Sequence, residues 1–184
     1  MIQTLTAAHF TDVISLGNLV HGDGYLNETS LAALYQKGIS NEINANFVAH
    51  HDGKLIGFRL TYAPGNWQTD KWCTPHAWGI EAPKVCYFKC NTLAEPFRGA
   101  GIGGKLLSAS IAATKRQGAI AGIGHLWKQS PNNSAVRYFT KAGATLIKEH
   151  PARWNNSKNH SDYVCVICGT DCQCTACEML LIFK

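Results

Sequence analysis

Ten residues, Arg98-Gly-Ala-Gly-Ile-Gly-Gly-Lys-Leu-Leu107, restrict the folds open to this chain more than any other stretch. Val85 to Leu93 before them reads as a strand. Gly101 to Gln117 reads as a helix, with Ile102, Leu106, Ala109 and Ala113 on one face and Lys105 and Arg116 off it. A strand that turns through glycines into a helix presents unblocked amides at the helix start, and the glycines let an anionic ligand come close to them. Three phosphate-binding patterns overlap here. Gly99-x-Gly101-x-x-Gly104 satisfies the dinucleotide fingerprint, but the acidic residue wanted about 20 positions onward is missing from Ala119-Ile-Ala-Gly-Ile-Gly-His-Leu-Trp127. Gly99-x4-Gly104-Lys105 approaches a P-loop, yet Leu106 replaces the hydroxyl residue that would bind magnesium, and the next strand has no Walker-B aspartate. The remaining pattern is Arg98-x-x-Gly101-x-Gly103, entered through Glu95-Pro96 and followed by Leu106-Leu107 on the buried helix face.

The surrounding chain predicts a short strand over residues 2–6, a helix over 8–20 and a second over 30–36. A hairpin follows from Asn46 to His50 and Lys54 to Tyr62, turned at Asp52-Gly53. Residues 63–83 form a long loop carrying Trp67, Trp72 and Trp78. After the glycine-rich helix come a strand over 119–127, a helix over 133–142 closed by Gly143, a strand over 144–149 and a terminal strand that makes a hairpin interrupted by cysteines. This is an α/β order with a mixed sheet in a chain of 184 residues, the size of one domain.

Residues 98–107 resemble motif A of the GCN5-related N-acetyltransferase (GNAT) family. Asn132-x-x-Ala135-x-x-x-Phe139-x-Lys141-x-Gly143 resembles its motif B at family-like spacing. The resemblance covers most of residues 1–150. It implies a mostly antiparallel central sheet flanked by helices, and acetyl-CoA as co-substrate. It further implies a cofactor site at Arg98, Gly99, Ala100, Gly101, Ile102, Gly103, Gly104, Asn132 and Phe139, with Leu93 offering its backbone amide to the thioester carbonyl. Acyl transfer to an amine also needs a group to take the amine's proton, and Glu81, His76 and His125 are candidates. Where the family commonly has a tyrosine to protonate the departing thiolate, this chain has Phe139, with Tyr138 one position earlier and about 100° around the helix. That departure leaves open a non-catalytic acyl-CoA-binding relative. The tryptophans of the long loop either hold a cationic acceptor or cap the core.

Eight cysteines are present, five of them in residues 165–177. Cys165-Val-Ile-Cys168-Gly has the turn of a zinc knuckle, and Cys172 and Cys174 complete a candidate tetrahedral site, structural because four thiolates leave no open position. Buried thiols or a redox-sensitive pair are the alternatives, and a zinc-containing interaction protein on the same fold is a third functional reading. The cluster is expected to occupy an insertion at 155–178 in the C-terminal hairpin of a single 1–184 domain. No apolar run is long enough for a membrane helix and the start lacks signal-peptide character, so a cytoplasmic protein is expected. The net charge of +5 comes from scattered Lys and Arg, unlike a nucleic-acid footprint. The partner expected is a small-molecule or peptide amine. The family resemblance admits a homodimer, to which no particular residue points.

Overall fold

The computed structural model describes residues 1–155 and 164–184. Its strands are β1 (Ile2–Thr4), β2 (Ile39–Ser40), β3 (Ile43–Asn44), β4 (Phe47–His51), β5 (Lys54–Tyr62), β6 (Val85–Leu93), β7 (Ala121–Trp127), β8 (Thr145–His150) and β9 (Ala176–Ile182). Its helices are α1 (Phe10–His21), α2 (Glu28–Lys37), α3 (Ile102–Arg116) and α4 (Ser134–Lys141). Seven strands form one sheet in the order β1-β4-β5-β6-β7-β9-β8, and β2 and β3 form a separate small hairpin that the sequence did not announce. Every pairing in the large sheet is antiparallel except β6 with β7. The mixed, mostly antiparallel sheet expected from the sequence is the one observed.

Both faces of the sheet are covered, which is why its strands are apolar on two sides. On one face α1 and α2 pack against Phe58 and Leu60, and the 63–83 loop covers Tyr62, Tyr87 and Ile123. On the other, α3 and α4 pack over Cys86, Phe88, Met179 and Leu181. The β4–β5 turn takes positive φ at both Asp52 and Gly53, matching the right-handed twist of a two-residue hairpin. The terminal strand does not simply fold back beside β8 at the sheet edge: β9 inserts between β7 and β8. Their connection runs through residues 151–175, so Cys177 belongs to β9 rather than to the insertion.

Candidate active site

The site begins where β6 and β7 part. Their parallel pairing extends only from Val85↔Ala121 to Phe88↔Gly124, while β6 continues against β5 as far as Gly57↔Leu93 and β7 continues against β9 as far as Trp127↔Ala176. A bulge at Lys89, where the β5 register slips between Leu60 and Thr61, lies at the point of divergence. Bulges raise local twist and turn a strand away from its neighbour. Beyond the bulge, Ala94 donates its amide to Ile56 O. Leu93 therefore stands in a non-hydrogen-bonded pair with Gly57, and by antiparallel alternation the Leu93 and Asn91 amides point away from β5, into the gap left by β7.

The glycine-rich turn closes the foot of this gap. Glu95–Phe97 forms a single 3-10 turn, Arg98 donates Nε to Leu93 O at 3.2 Å, and α3 starts at Ile102. Gly101 caps the helix in the left-handed region at φ 78, a conformation a side chain resists, and nothing stands within 4 Å of the position its Cβ would take. The demand for glycine is thus one of backbone shape and ligand access, not of packing. Arg98, Gly99, Ala100, Gly101 and Gly104 are exposed, and Ile102 and Gly103 are half-buried. The first turn of α3 lies so close to β6 that a Cβ on Gly103 would come within 3.0 Å of Asn91 Nδ2. Asn91 Oδ1 is buried there without a hydrogen-bond partner.

Motif B separates into two environments. Asn132 is exposed and Asn133 half-buried, both in the left-handed region, and Ser130 Oγ caps α4 by accepting from the Ala135 amide at 3.0 Å. Phe139 is 1% exposed and meets Phe88 edge-on at 5.5 Å, so its ring belongs to the core rather than to an exposed cofactor wall. Tyr138 is half-buried, and its hydroxyl accepts from Arg59 Nη1 at 2.8 Å. Arg59 itself is 1% exposed on β5, with its guanidinium 4.5 Å over the Phe88 ring. The Arg59–Tyr138 bond spans β6 on the α3–α4 side, level with the start of the gap. Sequence reasoning missed Arg59, because an arginine between Phe58 and Leu60 reads as the solvent face of an alternating strand.

On the opposite side, His21 Nε2 lies 2.9 Å from Thr92 Oγ1, and the His21 ring packs on Tyr25 with centroids 4.2 Å apart. Burial, with Lys89 and Arg98 nearby, pulls His21 down to about 4. His125 is also pulled down to about 4, by burial first and Arg153 second. Its Nε2 is 2.6 Å from Trp72 O, which can only accept, so Nε2 carries the hydrogen and Nδ1 accepts from Tyr87 OH at 3.0 Å. Both histidines are neutral near pH 7, and His125 has both nitrogens engaged. Lys89 is half-buried at the bulge, its pKa lowered by desolvation, and among the described residues no carboxylate lies within ion-pair distance of it.

Two of the base candidates are exposed on the segment that precedes β6. Glu81 is exposed and paired with Lys84 at 3.2 Å. It precedes β6, whereas Leu93 ends it, and a nine-residue strand separates its ends by about 25 Å. His76 is exposed on the 3-10 turn Pro75–Ala77. The tryptophans of the loop are mainly structural: Trp78 is 3% exposed and donates Nε1 to Glu178 Oε1 at 2.8 Å, and Trp67 donates Nε1 to Val85 O at 2.8 Å. The Cys165, Cys168, Cys172 and Cys174 sulfurs, by contrast, converge within 4.8 Å of one another.

The chain thus sets a parallel strand pair that splays apart beside a glycine-lined helix start within one mostly antiparallel sheet. The sequence profile of the acetyltransferase (GNAT) family matches residues 18–144, well over half of the chain, and the chain belongs to that family. Among solved structures it is similar to Ard1 from Thermoplasma volcanium (14% identity, TM-score 0.70, covering 100% of this chain and 98% of that one). It is similar also to Chaetomium thermophilum Naa20 in complex with a bisubstrate analogue (16%, 0.68, 100% and 87%). A third is yncA from Salmonella typhimurium with its cofactor acetyl-CoA (17%, 0.68, 100% and 94%). At these identities the likeness is one of fold. A comparison with curated proteins finds no match. No helix among the described residues is long and apolar enough to cross a membrane.

Proposed function

We propose that this protein is an acetyl-CoA-dependent N-acetyltransferase that transfers the acetyl group by direct attack of an amine within a ternary complex. The observation that carries this reading is the pair of strand amides, Asn91 and Leu93, which by antiparallel alternation point away from β5 toward the β6–β7 gap, on the strand that leads into the Arg98–Gly104 turn. The pyrophosphate would rest on the amides of that turn, with Arg98 adding charge and Asn132 bordering the cofactor from the turn before α4. The orphaned Asn91 Oδ1 would accept from an amide of the pantetheine arm. The Leu93 N–H would donate to the thioester carbonyl and to the oxyanion it becomes.

The acceptor would enter from the α1–α2 side and lose its proton to water in the cleft, because His21, pulled down to about 4, is too weak a base to take it. When the tetrahedral intermediate collapses, the carbon–sulfur bond breaks and the thiolate leaves. Tyr138 is the residue we assign to protonate it. Because its oxygen accepts from Arg59, which has no acceptor of its own, the Tyr138 O–H remains free to donate. Phe139 would support this arrangement from the core. Lys89, which has no carboxylate within ion-pair distance among the described residues, favours an amine that carries an acidic group over a polyamine. The bisubstrate complex of the Naa20 relative supports a cleft that holds both substrates at once.

Purified protein incubated with acetyl-CoA and a panel of amino acids, acidic peptides and polyamines tests this, following free thiol release against a control lacking protein, with CoA binding measured beside it. Amine-dependent thiol release, strongest for acceptors with an acidic group, is expected. CoA binding without turnover on any acceptor would favour the sensing module, and absence of CoA binding would overturn the assignment of the glycine turn.

A further inference from the structure

The connection between β8 and β9 carries a site that acetyl transfer does not use. None of the eight cysteines is in a disulfide. Three stand apart in strands β6 and β9, and Cys73 lies in the long loop. The other four meet at one point: Cys165 Sγ to Cys174 Sγ is 3.9 Å and Cys168 Sγ to Cys174 Sγ is 3.6 Å. At a zinc–sulfur distance of about 2.3 Å, the edge of a regular tetrahedron is about 3.8 Å. The sulfurs are therefore spaced as ligands of one ion. Cys165 and Gly169 exchange both backbone hydrogen bonds across a tight turn, and the amides of Ile167 and Cys168 are aimed at the Cys165 sulfur. The Cys174 amide is aimed at the Cys172 sulfur in the same way. Cys165, Cys172 and Cys174 are each under 5% exposed, which shields the cluster from water.

The position of this knuckle is as informative as its geometry. It packs on Trp127, the last residue of β7, and on Trp154. At its other end Val164 donates its amide to Asp23 O at 3.1 Å, and the approach is so close that a Cβ on Gly22 would sit 1.9 Å from Val164 O. Gly22 directly follows His21, which rests on Thr92 of β6. The knuckle thus reaches from the β7 arm of the gap to the loop lying on the β6 arm. It crosses the face from which the acceptor would come.

We propose that Cys165, Cys168, Cys172 and Cys174 form a tetrathiolate zinc site that fastens the β8–β9 connection to the α1–α2 loop, making a wall of the acceptor side of the cleft. The word acceptor rests on the acetyl-transfer reading; the metal site does not. Zinc here is structural, because four thiolates fill its coordination. Elemental analysis of the full chain purified with zinc available is expected to find about one zinc per chain. Growth with cobalt should yield the visible bands of a tetrahedral cobalt thiolate. The Cys168→Ser and Cys172→Ser variants should lose the metal, and Cys73→Ser should retain it.

Where those variants fail to fold, the wild-type protein stripped by a chelator provides the second measurement. Hydrogen exchange at Val164 and at Gly22–Tyr25 should accelerate on stripping and recover on zinc addition, with the amides of β5 unchanged. Wild-type protein that takes up no zinc, carries iron instead, or shows a disulfide within the cluster would overturn the zinc site. Metal uptake with no change in exchange at Val164 would overturn the fastening. None of these readouts needs turnover, so failure of the enzyme assay and failure of this proposal are separate results.

Discussion

Gly101 and Tyr138 test the two ends of the proposed cofactor path. A Gly101→Ala protein has room for its methyl group, so packing is spared, and the cost falls on the left-handed backbone and on the ligand's approach. That backbone penalty is roughly 1–2 kcal/mol. Acetyl-CoA binding by calorimetry should weaken by about tenfold or more, and the melting temperature should fall by the few degrees that the backbone strain costs. Tyr138→Phe removes the partner of a fully buried guanidinium, and an unsatisfied buried donor costs about 1–3 kcal/mol. If Tyr138 also protonates the thiolate, kcat should fall by about 10²-fold, the low end for a general acid, while acetyl-CoA affinity holds. A lower melting temperature with kcat unchanged would leave Tyr138 as a structural partner of Arg59 only.

At the scale of elements, a buried carboxylate helps fasten the tryptophan loop to the sheet. Glu178 on β9 is fully buried; its Oε1 accepts from the Thr74 amide and Trp78 Nε1, each at 2.8 Å, and its Oε2 accepts from Thr74 Oγ1 at 2.7 Å and meets His150 Nε2 at 3.0 Å. Desolvation pushes this carboxyl up, but the hydrogen bonds from His150, Thr74 and Trp78 outweigh it and hold the group below its ordinary range. His125 adds a second fastening through Trp72 O. Glu178→Gln replaces an acceptor facing His150 with a donor, at a cost of about 1–3 kcal/mol. We expect a melting temperature lower by several degrees and faster hydrogen exchange at Thr74 and Trp78, with α3 protected as before. Unchanged exchange in the loop would mean that Trp67 and the core contacts hold it without Glu178.

The molecule as a whole should lose stability on mild acidification. His21 and His125 are held near 4, far below the ordinary histidine value of 6.5, chiefly by burial. Between those values the unfolded chain takes up protons that the folded chain refuses, so stability is full above about pH 6.5 and declines as pH falls toward 4. The depressed Glu178 adds a loss at lower pH, beginning below the unfolded carboxyl's pKa and completed as the folded group protonates. Urea midpoints measured across this range should fall steadily. A midpoint that stays flat down to pH 5 would show that neither imidazole is desolvated in solution.

What was legible in the sequence was whatever depends on neighbours along the chain. Val85–Leu93 is a strand with the predicted limits, and the glycine turn and α3 lie where the pattern of Ile102, Leu106 and Ala113 put them. The Asp52-Gly53 hairpin followed from local turn chemistry, and the clustering of four cysteines from their spacing. Positions set by partners far along the chain were not legible. Arg59 is buried because helices more than 40 residues downstream cover a strand face that alternation assigns to solvent. The sequence determined that a glycine-rich turn joins a strand to a helix here. Only the tertiary structure decided that β6 parts from β7 above that turn, because the separation depends on a bulge against β5 and on β9 inserting from the end of the chain, neither of which a local pattern encodes.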